Sequence, residues 1–359
     1  MSRHPGAVKA SINSKKRSGS GRAAGPRSSP DAGPAGVVGM GLMGTSITAC
    51  LLGAGHSVAC VERDPAQRRT APRRLLHLLQ DGAAKGLLRA DPEKLMNRVA
   101  VSGDVSVLSD AEIVVESTVE DVAAKRQVIA SIEGAVSGGT LIGSNTSAIP
   151  VTELQRNAVH PRRILGLHWA EPANITRFME VICGRQTSPA SAQRAMRLAR
   201  LWGKEPSLLR KDIRGFITNR IMYAMLREAF YLVENGFATV ADVDRSLRND
   251  LGYWITFAGP FRFMDLTGIP AYAAVMKDLL PDLDCATQVP RLMRGVAGSG
   301  ARGVSNAKGF YRYTPRQARR WEELFIEFSH DIRALAARYP EDIGDRRSAR
   351  SSVKSRAGT

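Results

Sequence analysis

The sequence has 359 residues, of which 43% are hydrophobic and 24% are charged, and a formal net charge of +17. This composition excludes a mostly disordered chain and predicts a globular protein, and the length favours two domains. Residues 1–30 carry seven Lys and Arg and no acid, and residues 346–359 carry five and no acid, which leaves a net charge of +5 for the remainder. Because the excess charge lies at the two ends, we expect no nucleic-acid partner for the folded body.

Both ends are rich in Ser, Gly and Ala and poor in large apolar residues, so they cannot offset the entropy of ordering. We therefore expect residues 1–34 and 341–359 to be disordered basic tails, the first a solvated extension rather than a transit peptide, since it lacks an apolar stripe. The uncharged stretch 32–55 contains repeated glycines that argue against a membrane span. For this reason we expect no membrane partner. The four cysteines lack metal-ligand spacing and suggest no disulfides, and so we expect no metal and a reducing cytoplasm.

A glycine-rich turn follows the first predicted strand, "GVVGM" (36–40), and opens the predicted helix "TSITACLLGAG"; a second strand, "HSVACVE", ends at Glu62. Gly39 would make the tight turn, Gly41 would let the backbone approach a pyrophosphate, and Gly44 would pack the helix on the strand. The order of strand, turn, helix, strand and acid predicts a dinucleotide site, whereas the glycines alone could form an ordinary turn. A carboxylate at position 62 favours NAD over NADP, although Arg63 beside it weakens that preference. The predicted cofactor contacts of this turn and strand are Gly39, Gly41, Leu42, Met43, Gly44 and Glu62.

Strands and helices continue to alternate after a basic helical segment at 66–89. The next strands are "RVAVSGDV" and "AEIVVEST", followed by the helix "VEDVAAKRQVIASIEGAV" and by the strands "GTLIGSNTSAIP", "RILGLHW" and "RFMEVICG". This alternation predicts an α/β fold with a parallel, doubly wound, Rossmann-type sheet over residues 35–213. Ligands bind such sheets outside the carboxyl ends of the strands, where Glu120, Ser147 and His168 would lie.

The pattern becomes helical from Gly215 onwards. An apolar stripe with helical spacing begins at Ile217, Gly236 is placed to end that helix, and "TVAD" (239–242) predicts the start of another. We expect an all-α C-terminal domain over residues 214–340.

Five separate motifs resemble those of the L-3-hydroxyacyl-CoA dehydrogenases. They are "SNTS" (144–147), "GLHW" followed by Pro172, "MEV" (179–181), "GFITNR" (215–220) and "KGFYRY" (308–313). The resemblance covers roughly residues 35–315. It implies NAD-dependent oxidation of the 3-hydroxyl of an acyl-CoA to the 3-oxo compound, a reaction of fatty acid metabolism and β-oxidation, in a homodimer formed through the helical domain.

The resemblance also assigns roles to particular residues. It implies a general base at His168, an orienting carboxylate at Glu180, contacts to the substrate oxygen from Ser147 and Asn219, and nicotinamide-side contacts from Glu120 and Lys125. The chemistry agrees with these roles, because imidazole, with a pKa of about 6.5, suits removal of a hydroxyl proton near neutral pH. A lone histidine after an apolar run would otherwise be interpreted as a hydrogen-bonded core residue.

Glu171 departs from the family, which usually has Asn at this substrate-binding position. Its charge lies three residues from His168 and could raise the basicity of the histidine or select a different polar or cationic substrate, or the exchange could be neutral. Ser305 and Asn306 likewise replace a usual Lys-Thr pair. For the phosphates of CoA the resemblance points to Arg73, Arg74 and Lys85, which could equally form a solvated helix face.

Two alternatives stay open at this point. The first is a dehydrogenase of a free 3-hydroxy acid on the same fold, of the carnitine or gulonate type, for which Glu171 would suit a trimethylammonium group. The second is a dinucleotide-binding protein without catalytic activity.

Overall fold

A computed structural model describes residues 32–339 of the chain. The predicted basic tails lie outside this range, apart from residues 32–34. Within it, an α/β domain is followed by a set of helices, and this confirms the predicted fold class.

The α/β domain is built on one sheet of eight strands in the order β3-β2-β1-β4-β5-β6-β7-β8. The strands are β1 (Ala35–Val38), β2 (Val58–Val61), β3 (Val99–Ser102), β4 (Ile113–Glu116), β5 (Leu141–Ser144), β6 (Ile164–Trp169), β7 (Phe178–Cys183) and β8 (Glu205–Leu209). The first six are mutually parallel, as predicted, but β7 is antiparallel to β6 and β8 is parallel to β7. The eight residues 170–177 between β6 and β7 are too few for a parallel crossover, so the two strands form a hairpin. β8 was not among the predicted strands.

Helices cover both faces of this sheet. They are α1 (Leu42–Gly53), α2 (Pro65–Ala84), α3 (Pro92–Met96), α4 (Val122–Ala135), α5 (Val151–Leu154) and α6 (Pro189–Leu201). The buried side chains of α1, α2 and α6 form one hydrophobic layer with the sheet, and those of α4 and α5 form the other. Because β1 lies between β2 and β4, the strand order reverses at the carboxyl end of β1, where open α/β sheets bind their ligands.

The C-terminal part is built mainly of helices, with two isolated β-bridges between Gly303 and Arg312. Its helices are α7 (Thr218–Glu234), α8 (Val240–Asn249), α9 (Leu251–Ile255), α10 (Gly259–Thr267), α11 (Ile269–Leu279), α12 (Arg291–Gly298) and α13 (Pro315–Ala336). Gly236 follows α7 with a φ of 76°, and the Thr239 hydroxyl accepts a hydrogen bond from the Asp242 N–H at the start of α8. Both helix boundaries confirm the sequence prediction.

This helical part buries few of its own side chains. Among its described residues, only Phe216, Ala318 and Ser329 are buried. The apolar stripe of α7 is exposed at its start, where Ile221 is 55% exposed, and is only partly buried from Met225 onwards. The helices therefore present an apolar surface that residues 32–339 do not cover.

None of the helices in residues 32–339 is long and apolar enough to cross a membrane. Across the same residues, no three His, Cys, Asp or Glu side chains converge to form a metal site.

Candidate active site

The three glycines of the turn between β1 and α1 differ in whether the surrounding structure leaves room for a Cβ atom. Gly39 has a φ of 94°, and a Cβ there would lie 2.5 Å from the carbonyl oxygen of Ser117. A Cβ on Gly44 would lie 1.7 Å from the carbonyl oxygen of Gly39, whereas a Cβ on Gly41 would meet nothing within 4 Å. Packing within the chain thus explains Gly39 and Gly44. The open space above Gly41 is where a pyrophosphate would approach the backbone.

Glu62 is fixed at the end of β2 beside this turn. One carboxylate oxygen accepts a hydrogen bond from the Met40 N–H (2.8 Å) and the other accepts one from the Asp64 N–H (2.9 Å). A cavity of about 260 Å³ opens here and is lined by Gly39, Glu62, Arg63 and their neighbours. The residues fit NAD, because the turn offers backbone to a pyrophosphate and Glu62 retains acceptor capacity for ribose hydroxyls.

The predicted nicotinamide-side residues differ in their exposure. Lys125 is fully buried, and its ammonium lies 2.9 and 3.0 Å from the two carboxylate oxygens of Glu116 and 3.5 Å from a carboxylate oxygen of Glu120. The side chain of Glu120 is 42% exposed. Of the two, only the carboxylate of Glu120 therefore reaches the surface of the crevice.

Glu120 also organises the segment after β5. Its Oε1 accepts hydrogen bonds from the Thr146 hydroxyl (2.6 Å), the Ser147 N–H (2.9 Å) and the Ala148 N–H (3.1 Å). Burial opposes ionisation, but these donors and the Lys125 ammonium outweigh it and lower the pKa of Glu120. The ionised carboxylate holds Ser147 at the rim of the crevice.

His168 and Glu180 face each other directly in the β6–β7 ladder. Nδ1 of His168 lies 2.8 Å from Oε2 of Glu180, and both side chains are buried. Phe178 and Phe216 pack against the imidazole, with ring centroids 5.4 and 5.6 Å from its own. Nε2 has no hydrogen-bond partner among residues 32–339, so the ring is oriented on one side and available on the other.

The start of α7 holds the second oxygen of Glu180. Oε1 accepts hydrogen bonds from the N–H groups of Ile217 and Thr218, both at 3.0 Å. Burial raises the pKa of Glu180, but the His168 contact and these backbone donors outweigh it, so its pKa lies below the ordinary value. The helix N-terminus and the imidazole thus keep this carboxylate ionised.

Asn219, the next residue of α7, extends the site to Ser147. Its side-chain amide donates a hydrogen bond to the Ser147 backbone carbonyl (2.7 Å). The Ser147 side chain has no hydrogen-bond partner in the part of the chain that the structure describes. The structure thus links Ser147, His168, Glu180 and Asn219 through one set of contacts.

Glu171 lies just beyond β6, where its side chain is exposed. Its carboxylate makes no hydrogen bond or ion pair within residues 32–339, and its peptide bond to Pro172 is cis.

Sequence reasoning missed several residues that build the site. Asn145 accepts a hydrogen bond from the Trp169 N–H (3.1 Å) and donates one to the Ser117 hydroxyl (3.2 Å), so it joins the ends of three strands. The polar run "SNTS" at a strand end could have indicated this role. Phe216 is buried with a φ of 54°, which is unusual for a bulky residue, and no pattern in the sequence indicates it.

Comparisons with known proteins identify the family of this chain. The family description "3-hydroxyacyl-CoA dehydrogenase, NAD binding domain" matches residues 34–213, and "3-hydroxyacyl-CoA dehydrogenase, C-terminal domain" matches residues 215–313. The chain is 31% identical to 5-formyl-3-hydroxy-2-methylpyridine 4-carboxylate 5-dehydrogenase of Mesorhizobium japonicum, over 79% of this chain and 91% of that protein. It is 29% identical to a probable 3-hydroxybutyryl-CoA dehydrogenase of Bacillus subtilis, over 77% and 96%.

Solved structures show the same two relationships. A structure of the pyridine-carboxylate 5-dehydrogenase, described as an NAD+-dependent dismutase, matches with a TM-score of 0.79 at 29% identity over 85% of this chain and 98% of that chain. The (S)-3-hydroxybutyryl-CoA dehydrogenase of Ralstonia eutropha matches with a TM-score of 0.66 at 28% identity, over 78% and 99%. The chain belongs to the 3-hydroxyacyl-CoA dehydrogenase family and is an NAD-dependent oxidoreductase.

Proposed function

We propose that this protein oxidises the 3-hydroxyl of an L-3-hydroxyacyl-CoA to the 3-oxoacyl-CoA, as in β-oxidation, with His168 as the general base. The observation that carries the proposal is the buried His168–Glu180 pair. Nε2 of His168 has no hydrogen-bond partner within residues 32–339, and the start of α7, which holds Glu180, also carries Asn219, which bonds to Ser147. A buried histidine with a merely structural role would have both ring nitrogens bonded, as His56 does.

The route of the substrate hydroxyl proton follows from this geometry. NAD held by the glycine turn and Glu62 would supply the acceptor for the hydride that leaves the carbinol carbon. Nε2 of His168 takes the hydroxyl proton, and the Nδ1–H bond to Glu180 selects the required tautomer and stabilises the imidazolium that forms. Asn219 keeps one amide hydrogen beyond the one given to Ser147, and with the Ser147 hydroxyl it donates to the substrate oxygen.

The cofactor would lie across the reversal of strand order, held by residues 35–213, while residues 214–340 complete the substrate side. In this proposal Leu42, exposed at the first turn of α1, and Met43 beside it contact the dinucleotide. Lys125 acts on the nicotinamide side through Glu120. The residues proposed to bind NAD are Gly39, Gly41, Leu42, Met43, Gly44, Glu62, Glu120 and Lys125.

A small substrate without CoA is the second candidate. Arg74, one of the three basic residues suggested for CoA phosphates, instead donates to the Met40 carbonyl and so braces the glycine turn. The TM-score of 0.79 is for an enzyme named for a pyridine carboxylate, against 0.66 for one named for a CoA ester. In either case Glu171 would contact the substrate, as the family resemblance implies for its position.

We also propose that the protein is a homodimer formed through residues 214–340. The apolar surface left open by α7 and the helices after it supports this, together with the family resemblance. The four cysteines are unpaired in the structure, and the cytoplasm stays the predicted compartment.

The test is NADH formation with 3-hydroxybutyryl-CoA, with free 3-hydroxybutyrate and with carnitine, using wild type and His168→Ala. We expect turnover of the CoA ester that falls by at least about a hundredfold in the variant. His160→Ala removes an exposed imidazole and should leave the rate unchanged. Turnover of a free acid alone would establish the second candidate. No turnover of any of the three would contradict the first proposal.

A further inference from the structure

The loop between β6 and β7, residues 170–177, lies between the two strands that carry His168 and Glu180, and Glu171 is its second residue. A short hairpin loop of this kind would normally be mobile at its tip. Here its middle is tied to α1, because the Ser46 hydroxyl donates to the Asn174 side-chain oxygen (2.8 Å) and accepts from the Asn174 N–H (3.1 Å).

Lys204, directly before β8, also binds this loop. Its side chain is buried, its ammonium donates to the carbonyl oxygens of Ala173 and Thr176, and it lies 5.0 Å from the centre of the Trp169 ring. It forms no salt bridge within residues 32–339, so backbone carbonyls and an aromatic face satisfy this cation. Its burial lowers the pKa of Lys204, in agreement with an enclosed site.

Arg333 supplies a second cation from the far end of the chain. It lies on α13, after the region that matches the family (215–313), and its guanidinium donates to the carbonyl oxygen of Ile175. A separate contact, 3.3 Å between His330 and Asp81, attaches α13 to α2. Two cations from distant parts of the sequence therefore hold three carbonyls within four residues of the loop.

We propose that Arg333 is a positioning residue which, together with Lys204, fixes the 170–177 loop and thereby the Glu171 carboxylate beside the substrate pocket. This inference rests on the proposed function for the role of Glu171. The contacts of Lys204 and Arg333 with the loop, here called the clamp, do not hold the His168–Glu180 pair. The β6–β7 ladder and the start of α7 hold that pair. Loss of Arg333 should therefore alter substrate binding much more than the chemical step.

The experiment compares Arg333→Met, Arg333→Lys and His330→Ala in the full chain, with and without Glu171→Gln. We expect Arg333→Met to raise the KM for the substrate that wild type turns over by about tenfold or more, with kcat and the KM for NAD changed less than about twofold. Arg333→Lys keeps a donor and should recover part of the loss. His330→Ala loosens α13 without touching the loop and should leave the KM unchanged.

Hydrogen exchange gives a readout that does not depend on turnover. The N–H groups of Ile175 and Thr176 both donate to the Pro172 carbonyl, and we expect them to exchange faster in Arg333→Met but not in His330→Ala. In the Glu171→Gln background the KM effect of Arg333→Met should largely disappear, because the group that it positions is gone.

The inference is overturned if exchange in the loop is unchanged, or if the KM effect is equally large without Glu171. If wild type turns over no substrate, the proposed function fails, while the exchange data still decide whether Arg333 clamps the loop. Should Arg333→Met not fold, Arg333→Gln gives the same comparison with a neutral donor in place of the cation.

Discussion

Glu180 engages both of its carboxylate oxygens, one with His168 and the other with the start of α7. We expect Glu180→Gln to lower kcat by about 10³- to 10⁴-fold, because an amide can donate to Nδ1 and so favour the tautomer whose Nε2 already carries a proton. The measurement is kcat at saturating substrate. Glu93→Gln, which changes an exposed carboxylate on α3, is the control. A kcat within tenfold of wild type in Glu180→Gln would contradict the assigned role.

His56 illustrates the opposite use of a buried imidazole. Its Nδ1 donates to the Gly33 carbonyl (2.7 Å), and Nε2 accepts from the Trp202 indole N–H (2.9 Å), so the ring is neutral. Burial lowers the pKa of His56 below 6.5, although the bond to Gly33 opposes this effect. The unfolded chain therefore binds the proton more tightly than the folded chain does. The stability present above pH 6.5 should be lost as the pH falls from 6.5 through the folded pKa, by at most about 1.4 kcal/mol per pH unit.

Urea unfolding between about pH 5 and pH 8 measures this contribution of His56. His56→Gln, which can still accept from Trp202 and donate to Gly33, should be less stable at neutral pH but show a smaller decrease at low pH. His77→Gln changes an exposed imidazole and should keep the wild-type slope. If the free energy of unfolding of His56→Gln falls with pH as steeply as that of wild type, His56 is not the source of the pH dependence.

At the scale of elements, the turn between β1 and α1 allows a paired test. Gly44→Ala places a methyl group 1.7 Å from the Gly39 carbonyl oxygen, so we expect a loss of stability as well as of NAD binding. Gly41→Ala places its methyl in open space, so we expect a thermal midpoint near wild type and a KM for NAD raised about tenfold or more. Thermal unfolding and NAD titration of both variants provide the comparison. An unchanged KM in Gly41→Ala would argue against a pyrophosphate at this position.

The sequence predicted the elements better than their directions. Alternating apolar runs indicated seven of the strands, and the glycine motif indicated the crevice, because both depend on short-range spacing. The reversal at β7 depends on a loop length that becomes visible only once both strand ends are known. β8, "EPSLL", contains a proline and is too short to show a period.

The candidate site was predictable only in part, for a related reason. His168, Glu180, Ser147 and Asn219 were named from motifs, but their connection runs through backbone groups, namely the N–H groups of α7 and the Ser147 carbonyl. Backbone contacts of this kind leave no residue-type signal. The contact between Arg333 and Ile175 joins residues more than a hundred positions apart, and no spacing along the sequence reveals it.

At the scale of the whole molecule, the main feature is the number of apolar side chains that the helical part leaves exposed. Between residues 214 and 339 only three of the described side chains are buried, while Tyr253 is 80% exposed and Phe261 is 79% exposed. Large exposed apolar patches are typical of surfaces that bind another protein. We therefore expect these helices to pack against a second surface, and a two-fold arrangement would supply an identical one.

We expect the protein in solution to have twice the mass of one chain, and its thermal midpoint to rise with protein concentration, because association stabilises the folded state by mass action. Phe261→Glu places a charge on the open apolar surface and should shift the protein towards a less stable monomer. Val159→Glu changes a 73% exposed apolar residue on the α/β domain and should leave the mass unchanged. Light scattering and sedimentation measure the mass. A stable wild-type monomer whose thermal midpoint is independent of protein concentration would contradict this prediction. It would mean that these helices remain folded with their apolar face open to water.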